Sequence, residues 1–254
     1  MSEKEEKKYL IERGRGIHDT LKTKVYEEMK KAMWTMVEYK EMQMMYSCAL
    51  KEIQTKFEIL NLEFKIKYKR NPISYVSTRL KRNESIAKKM LRKNIPITIE
   101  NIENNICDIA GIRVVCSYID DIYMLAEALL KQDDIRLVEI CDYIKSPKPS
   151  GYRSLHLIVE IPIFLVDKKQ LVKVEVQIRT IAMEFWASLE HQMKYKREKS
   201  IEQLEERLKQ CAEEINKTDE EMMQLRKEID DLSEDFDDDV ELRERLKRLD
   251  TPLN

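Results

Sequence analysis

Asp108 and Glu175 are two carboxylates that could together hold a hard cation. Asp108 stands directly before the apolar run IAGIRVVC, and Glu175 lies within LVKVEVQIRT. Two carboxylates from neighbouring strands can hold Mg2+ and leave its other positions to phosphate oxygens. An Asp at the head of a strand also serves as a turn former, so both readings stand for Asp108. A cationic cluster precedes them: RLKRNESIAKK spaces Arg79, Lys81, Ser85 and Lys89 by 2, 4 and 4 residues. Ser85 and Lys89 fall on one face of a short helix, and the cations ahead of it are expected to converge at its N-terminus, where backbone donors favour an anion. Basic residues at this spacing are also what a solvated helix face looks like. A third group lies in KSPKPSGYRSLH, where Pro147, Pro149 and Gly151 turn the chain and deliver Lys148, Tyr152 and His156 to the head of a strand. Period two puts Tyr152, Ser154 and His156 on one side. An aromatic, a cation and an imidazole together can stack a base and bind phosphate, although a lone strand His is more often structural.

These groups need elements to position them. LVKVEVQIRT splits by parity into Val172, Val174, Val176 and Ile178 on one side and Lys173, Glu175, Gln177 and Arg179 on the other, the pattern of a half-buried strand whose polar face meets either water or a charged site. IAGIRVVCSY, LVEICDYI and SLHLIVEIPIFL are strand-like, and DDIYMLAEALLKQ reads as a helix opened by Asp120 or Asp121. This predicts a mixed α/β domain over roughly residues 70–180, after which IAMEFWASLEHQMKYK returns to helical spacing; a flexible start and helices are expected over 1–69 and acidic helices over 197–254. Residues 1–16, with Gly14 and Gly16, are expected to be flexible. From Leu21 to Tyr68 the spacing is helical, with one stripe at Val25, Met29, Met33, Met36 and Val37 and a second at Leu50, Ile53, Phe57 and Leu60, both expected to be core. A short helix is expected over Ser85–Lys93. Ile201, Leu204, Leu208, Cys211, Ile215, Met222, Leu225, Ile229 and Leu232 follow 3,4 steps, a helix-packing seam within a subunit or between subunits.

Composition removes several alternatives. The 254 residues are 43% hydrophobic, enough for a sizeable core, and no run of about 18 apolar residues exists to cross a membrane. The charged start carries no apolar signal segment, so a cytoplasmic protein is expected. The five cysteines form no CxxC pair and are expected to be reduced packing residues. Four glycines, at positions 14, 16, 111 and 151, cannot assemble a GxGxxG or GxxxxGK[ST] loop, so bound phosphates must be gripped by side chains. Three scattered histidines, His18, His156 and His191, exclude a multi-histidine phosphohydrolase site despite the His18-Asp19 pair. Net charge is −2, yet residues 201–254 hold nine Lys+Arg against nineteen Asp+Glu, a local −10 that leaves +8 on residues 1–200. A basic body suggests an anionic partner, with nucleotide and nucleic acid both open.

The ordered series RxKxxxSxxxK, DIAGIR, KPSGYRSLH and VEVQIRT resembles the RelA/SpoT-type (p)ppGpp synthetase domain over roughly residues 70–196, and the chain without a hydrolase module resembles the small alarmone synthetases. The resemblance implies a nucleotidyltransferase-like mixed sheet flanked by helices. The implied activity is a Mg2+-dependent transfer of pyrophosphate from ATP to the 3′ hydroxyl of GDP or GTP in the stringent response. It implies that Arg79, Lys81, Ser85, Lys89 and Arg113 bind ATP, with Arg79 near adenine. Asp108 and Glu175 would hold the metal, with Glu175 able instead to orient and deprotonate the 3′ hydroxyl. Lys148, Ser150, Tyr152, His156 and Gln177 would bind the guanine nucleotide, Tyr152 by stacking. Ser150 departs from the Asn that many relatives carry, which bears on guanine affinity. The alternatives are a catalytically silent nucleotide- or RNA-binding regulator and a nucleotidyltransferase that releases pyrophosphate.

The same resemblance implies a homo-oligomer, probably a tetramer, built by the helices before residue 70 and after residue 180. One branch of the family is activated by its product in a cleft between subunits, contacted from the segment that here reads IAMEFWASLEH. Glu184 is expected to face that polyanion and repel it, so strong product activation is not expected.

Overall fold

The computed structural model describes residues 3–195 and 202–234. Five strands form one mixed sheet: β1 (Ile73–Leu80), β2 (Ala110–Cys116), β3 (Arg136–Asp142), β4 (Leu155–Phe164) and β5 (Lys169–Thr180), ordered β1-β2-β5-β4-β3. β2 and β5 run parallel and the other neighbours antiparallel. The helices are α1 (Glu3–Lys67), α2 (Asn83–Arg92), α3 (Ile99–Asn105), α4 (Ile119–Leu130), α5 (Ile181–Tyr195) and α6 (Glu202–Glu234).

The apolar parity of β2, β4 and β5 faces one core. Ile112, Val114, Leu157, Val159, Val174, Val176 and Ile178 are all buried there against Met42, Ile53 and Phe57 of α1 and Ile122, Leu125 and Leu129 of α4. The second predicted stripe of α1 is therefore core. The first is not: Met29, Met33 and Met36 stand more than 60% exposed, because α1 runs on past the sheet and none of the described residues covers that part. Nor do residues 3–16 form a flexible start; they are helical through Gly14 and Gly16, since an isolated glycine costs a helix only about 1 kcal/mol amid strong helix formers.

Helix α4 differs from expectation in how it begins. Tyr118, not an Asp, is the N-cap of α4, and Asp120 and Asp121 sit in its first turn, where they favour the positive end of the helix dipole. Arg226 of α6 donates to Asp120 at 3.2 Å and so ties α6 to α4.

Helix α6 returns over the domain. Trp186 donates to the Leu208 carbonyl at 3.0 Å, and Thr180 at the end of β5 donates to Asp219 at 2.5 Å. The predicted seam splits accordingly: Leu208 and Ile215 pack inward beside Ala212, whereas Cys211, Met222, Leu225 and Ile229 face outward. Ile201, and residues 197–201 and 235–254 of the expected acidic tail, lie outside the described residues.

Asp219 is only 5% exposed, and burial pushes its carboxyl up to about 6, against the Thr180 hydrogen bond that lowers it. A raised carboxyl favours the folded state below its unfolded value of about 3.8, and that advantage is lost as pH rises through about 6. Asp219→Asn keeps an acceptor for Thr180 and removes the charge. It should raise the thermal midpoint at pH 7.5 by the equivalent of roughly 1 to 2 kcal/mol and have little effect near pH 4. Equal shifts at both pH values, read by scanning calorimetry, would disprove the assignment.

Candidate active site

Because paired residues point to the same side of a sheet, register alone composes the polar face. One row runs Arg79, Gly111, Glu175, Ile158 and Glu139 across β1, β2, β5, β4 and β3; the next runs Ser77, Arg113, Gln177, His156 and Cys141. Gly111 matters in the first row, since a Cβ there would lie 3.4 Å from Arg79 Nε, tight against the side chain that crosses it. The polar parity of β5 thus faces neither open water nor the apolar core: Gln177 is 9% and Arg179 2% exposed.

Asp108, at the entrance to β2, joins this face. Lys81 Nζ reaches its Oδ2 at 2.7 Å and Lys89 Nζ its Oδ1 at 2.8 Å. Lys81, expected with Arg79 at the N-terminus of α2, therefore reaches a carboxylate instead, and Lys89 from the helix face converges on the same group. That terminus is occupied differently: Tyr39 and Gln43 of α1 donate to the Asn83 carboxamide oxygen, pinning α2 to α1. Burial pushes the Asp108 carboxyl up, but the two ammonium groups outweigh it and hold it below the usual range. Ser85 is half-buried in the first turn of α2.

Asp108, Glu175, Lys89 and His156 line one cleft of about 260 Å³. Cys107 and Cys141, expected as packing residues, line it too. Arg79, Arg113, Ser77 and Gln177 line a smaller hollow on the same face. Glu175 is also held ionised: burial raises it, and His156 at 3.6 Å with a 2.9 Å hydrogen bond from Gln177 brings it below its ordinary value.

The 145–156 loop delivers its residues largely as predicted. Gly151 adopts φ +90, and a Cβ on it would meet Ala212 of α6 at 2.6 Å, so only glycine permits both this turn and the close passage of α6. Tyr152 OH lies 2.8 Å from His156 Nε2, and Lys148 Nζ sits 4.8 Å from the Tyr152 ring centre and 4.3 Å from that of Tyr143. Ser150 is half-buried in the turn. Ser154 does not share the edge: it is fully buried and donates to the Ile178 carbonyl.

Two participants enter the site in ways the sequence did not suggest. Arg179 donates to Glu184 at 2.9 Å and to both Tyr152 OH and Gln177 Oε1 at 2.8 Å. Glu184, expected to face a polyanion between subunits, instead accepts from Arg113 at 2.8 Å and is 9% exposed. With Arg113 and Arg179 against it, Glu184 does not present the uncompensated charge from which weak product activation was expected. The parity of β5 placed Arg179 on the polar face, but no local signal marks Glu184 as its partner.

Comparison with known proteins identifies the family. Residues 78–200 match the family described as the region found in RelA / SpoT proteins. The GTP pyrophosphokinase YwaC of Bacillus subtilis (strain 168) is 47% identical over 161 residues, covering 63% of this chain and 77% of that protein. Small alarmone synthetase 2 from Bacillus subtilis superposes with a TM-score of 0.68 at 44% identity, covering 75% of this chain and 98% of the other. Small alarmone synthetase 1 from the same organism, in a crystal structure with its product pppGpp, does so with a TM-score of 0.66 at 38% identity, covering 73% and 94%. The ordered motifs, the sheet that sets them in adjoining rows and these likenesses agree, and the chain belongs to the RelA/SpoT-type small alarmone synthetase family.

Proposed function

We propose that this protein is a GTP pyrophosphokinase that transfers pyrophosphate from ATP to the 3′ hydroxyl of GDP or GTP, acting in the cytoplasm to make ppGpp and pppGpp for the stringent response. The observation that carries the reading is the shared cleft of Asp108, Glu175, Lys89 and His156, with Arg79, Arg113 and Gln177 in the adjoining hollow. Cations thereby cluster on one part of the polar face and the Tyr152–His156–Lys148 edge on another, as a two-nucleotide reaction requires.

In this reading the 3′ oxygen attacks the β-phosphorus of ATP, the bond from that phosphorus to the α,β-bridging oxygen breaks, and AMP leaves with the electron pair. Glu175 orients the 3′ hydroxyl and accepts its proton. Lys81 and Lys89, which reach Asp108 within 2.8 Å, are close enough to the cleft to turn to triphosphate oxygens, and Arg79 and Arg113 bind the ATP from β1 and β2. Ser85 lies nearby at the start of α2. Tyr152 stacks on guanine, Lys148 and His156 take acceptor phosphates, and Gln177 and Ser150 contact the acceptor. No protein nucleophile is required, because alignment and charge neutralisation supply the rate.

Asp108 and Glu175 would hold Mg2+. They fit it as hard oxygen donors lining one cleft, and among the described residues no group of three or more His, Cys, Asp or Glu is placed to hold an ion. Phosphate oxygens and water would complete the shell. A bound Mg2+ supplies charge neutralisation on the transferring phosphates.

Incubation with γ-labelled ATP and GDP tests the reading. Label should appear in guanosine tetraphosphate, and chelation of divalent ions should stop it. Release of labelled pyrophosphate would indicate nucleotidyl transfer, and unconsumed ATP a silent binder.

We also propose that the protein is a homo-oligomer, a tetramer. Met29, Met33 and Trp34 of α1 and Met222 and Ile229 of α6 leave apolar surface that the described chain does not cover. Light scattering at micromolar concentration should give a multiple of 30.4 kDa, and a monomer would overturn this.

A further inference from the structure

Both oxygens of Glu175 face a potential donor, and both donors lead back to a single guanidinium. Gln177 Nε2 donates to Glu175 Oε2 at 2.9 Å, and the other end of that carboxamide accepts from Arg179 at 2.8 Å. His156 Nδ1 lies 3.6 Å from Glu175 Oε1, and its Nε2 lies 2.8 Å from Tyr152 OH, which accepts from Arg179 at 2.8 Å.

Arginine can only donate. Where it contacts the Gln177 carboxamide, that end must be the oxygen, so the amide nitrogen is turned to Glu175. Where it contacts the Tyr152 hydroxyl, the oxygen is the acceptor, and the hydroxyl proton is left to point at His156 Nε2. A neutral imidazole accepting at Nε2 carries its proton on Nδ1, the nitrogen that faces Glu175. We propose that Arg179 is a positioning residue that sets the direction of the two polar branches reaching Glu175, one ending in the Gln177 hydrogen bond and the other in the 3.6 Å approach of His156 Nδ1. This rests on the reading of Glu175 as the group that handles the acceptor hydroxyl.

The arrangement has its own counterion. The Arg179 side chain is 3% exposed, and a buried cation needs a partner, which Glu184 supplies through Oε2 at 2.9 Å. The other Glu184 oxygen accepts from Arg113 at 2.8 Å and from Ser188 at 3.1 Å. One carboxylate on the first turn of α5 thereby fixes both Arg113, proposed for ATP, and Arg179, which stands behind the acceptor side, linking the two halves of the site.

The test separates this role from mere packing. At a pH well above the imidazole range, nitrogen-15 NMR of the full-length protein should show His156 protonated on Nδ1. Arg179→Met, and independently Tyr152→Phe, should shift it toward the Nε2–H form, and Tyr152→Phe removes only a hydroxyl should Arg179→Met fail to fold. In turnover, Arg179→Met should lower kcat by about ten- to hundredfold and raise KM for GDP, with KM for ATP little changed. Arg179→Lys should not rescue it, since a single ammonium nitrogen does not reproduce the planar fork by which two guanidinium nitrogens reach Glu184 on one side and Tyr152 and Gln177 on the other. An Nε2–H imidazole in the wild type, or a His156 spectrum unmoved by both substitutions, would overturn the proposal. Because the spectrum is independent of turnover, absence of alarmone synthesis in the wild type would sink the functional reading and leave this one testable.

Discussion

Glu175→Gln should abolish alarmone synthesis while the protein stays folded. The substitution keeps volume and an acceptor for Gln177 Nε2, which donates to Glu175 at 2.9 Å, so the strand has no packing reason to fail. It removes the charge that would bind a cation and take a proton, and a loss of at least about a hundredfold, roughly 2.7 kcal/mol in barrier, is expected. Asp108→Asn should behave alike. Lys81 and Lys89 would lose their shared counterion, but their side chains are 21% and 26% exposed and can turn to water. Steady-state rates with circular dichroism as the folding control decide the matter. If either variant keeps more than about a tenth of the wild-type rate, a barrier change under roughly 1.4 kcal/mol, the proposed carboxylate pair is wrong.

Tyr152→Ala should weaken the guanine nucleotide by about 1 to 3 kcal/mol, the scale of one base–aromatic stack, and leave ATP nearly unaffected. The ring is well placed for this, held edge-on to Tyr143 and His156 with centroids 6.1 and 5.8 Å away, so little rotamer freedom remains to be lost on binding. Tyr152→Phe retains the stack and should keep most of the affinity even while it interrupts the hydrogen bond to His156. Titration calorimetry with each nucleotide separately is the measurement. Equal losses for GDP and ATP would remove this loop from the acceptor site.

Much of the site was legible because strand parity is local. Val172, Val174, Val176 and Ile178 had to share a face whatever they packed against, and Glu175, Gln177 and Arg179 had to share the other. β1 was not legible: ISYVSTRL does not alternate in hydrophobicity, because as an edge strand it buries only Ile73 fully. α3 is seven residues long, too short for a period, though Thr98 capping Asn101 N at 3.2 Å is a signal that could have found it. The long spacing of α1 and α6 showed helices but not what covers them, and only the sheet's extent separates buried Phe57 from exposed Met33.

The sequence by itself determined which side chains are available for this chemistry and which of them lie on a common face. The tertiary structure decided their partners. Lys81 and Lys89 meet Asp108 across 27 and 19 residues, and Arg113 meets Glu184 across 71. Periodicity along a strand or helix carries no information at such separations. The pairings follow from strand order, from the register of β2 on β5 and from α5 beginning at the end of β5, which bring opposite charges together in a partly buried space where leaving either unpaired is costly.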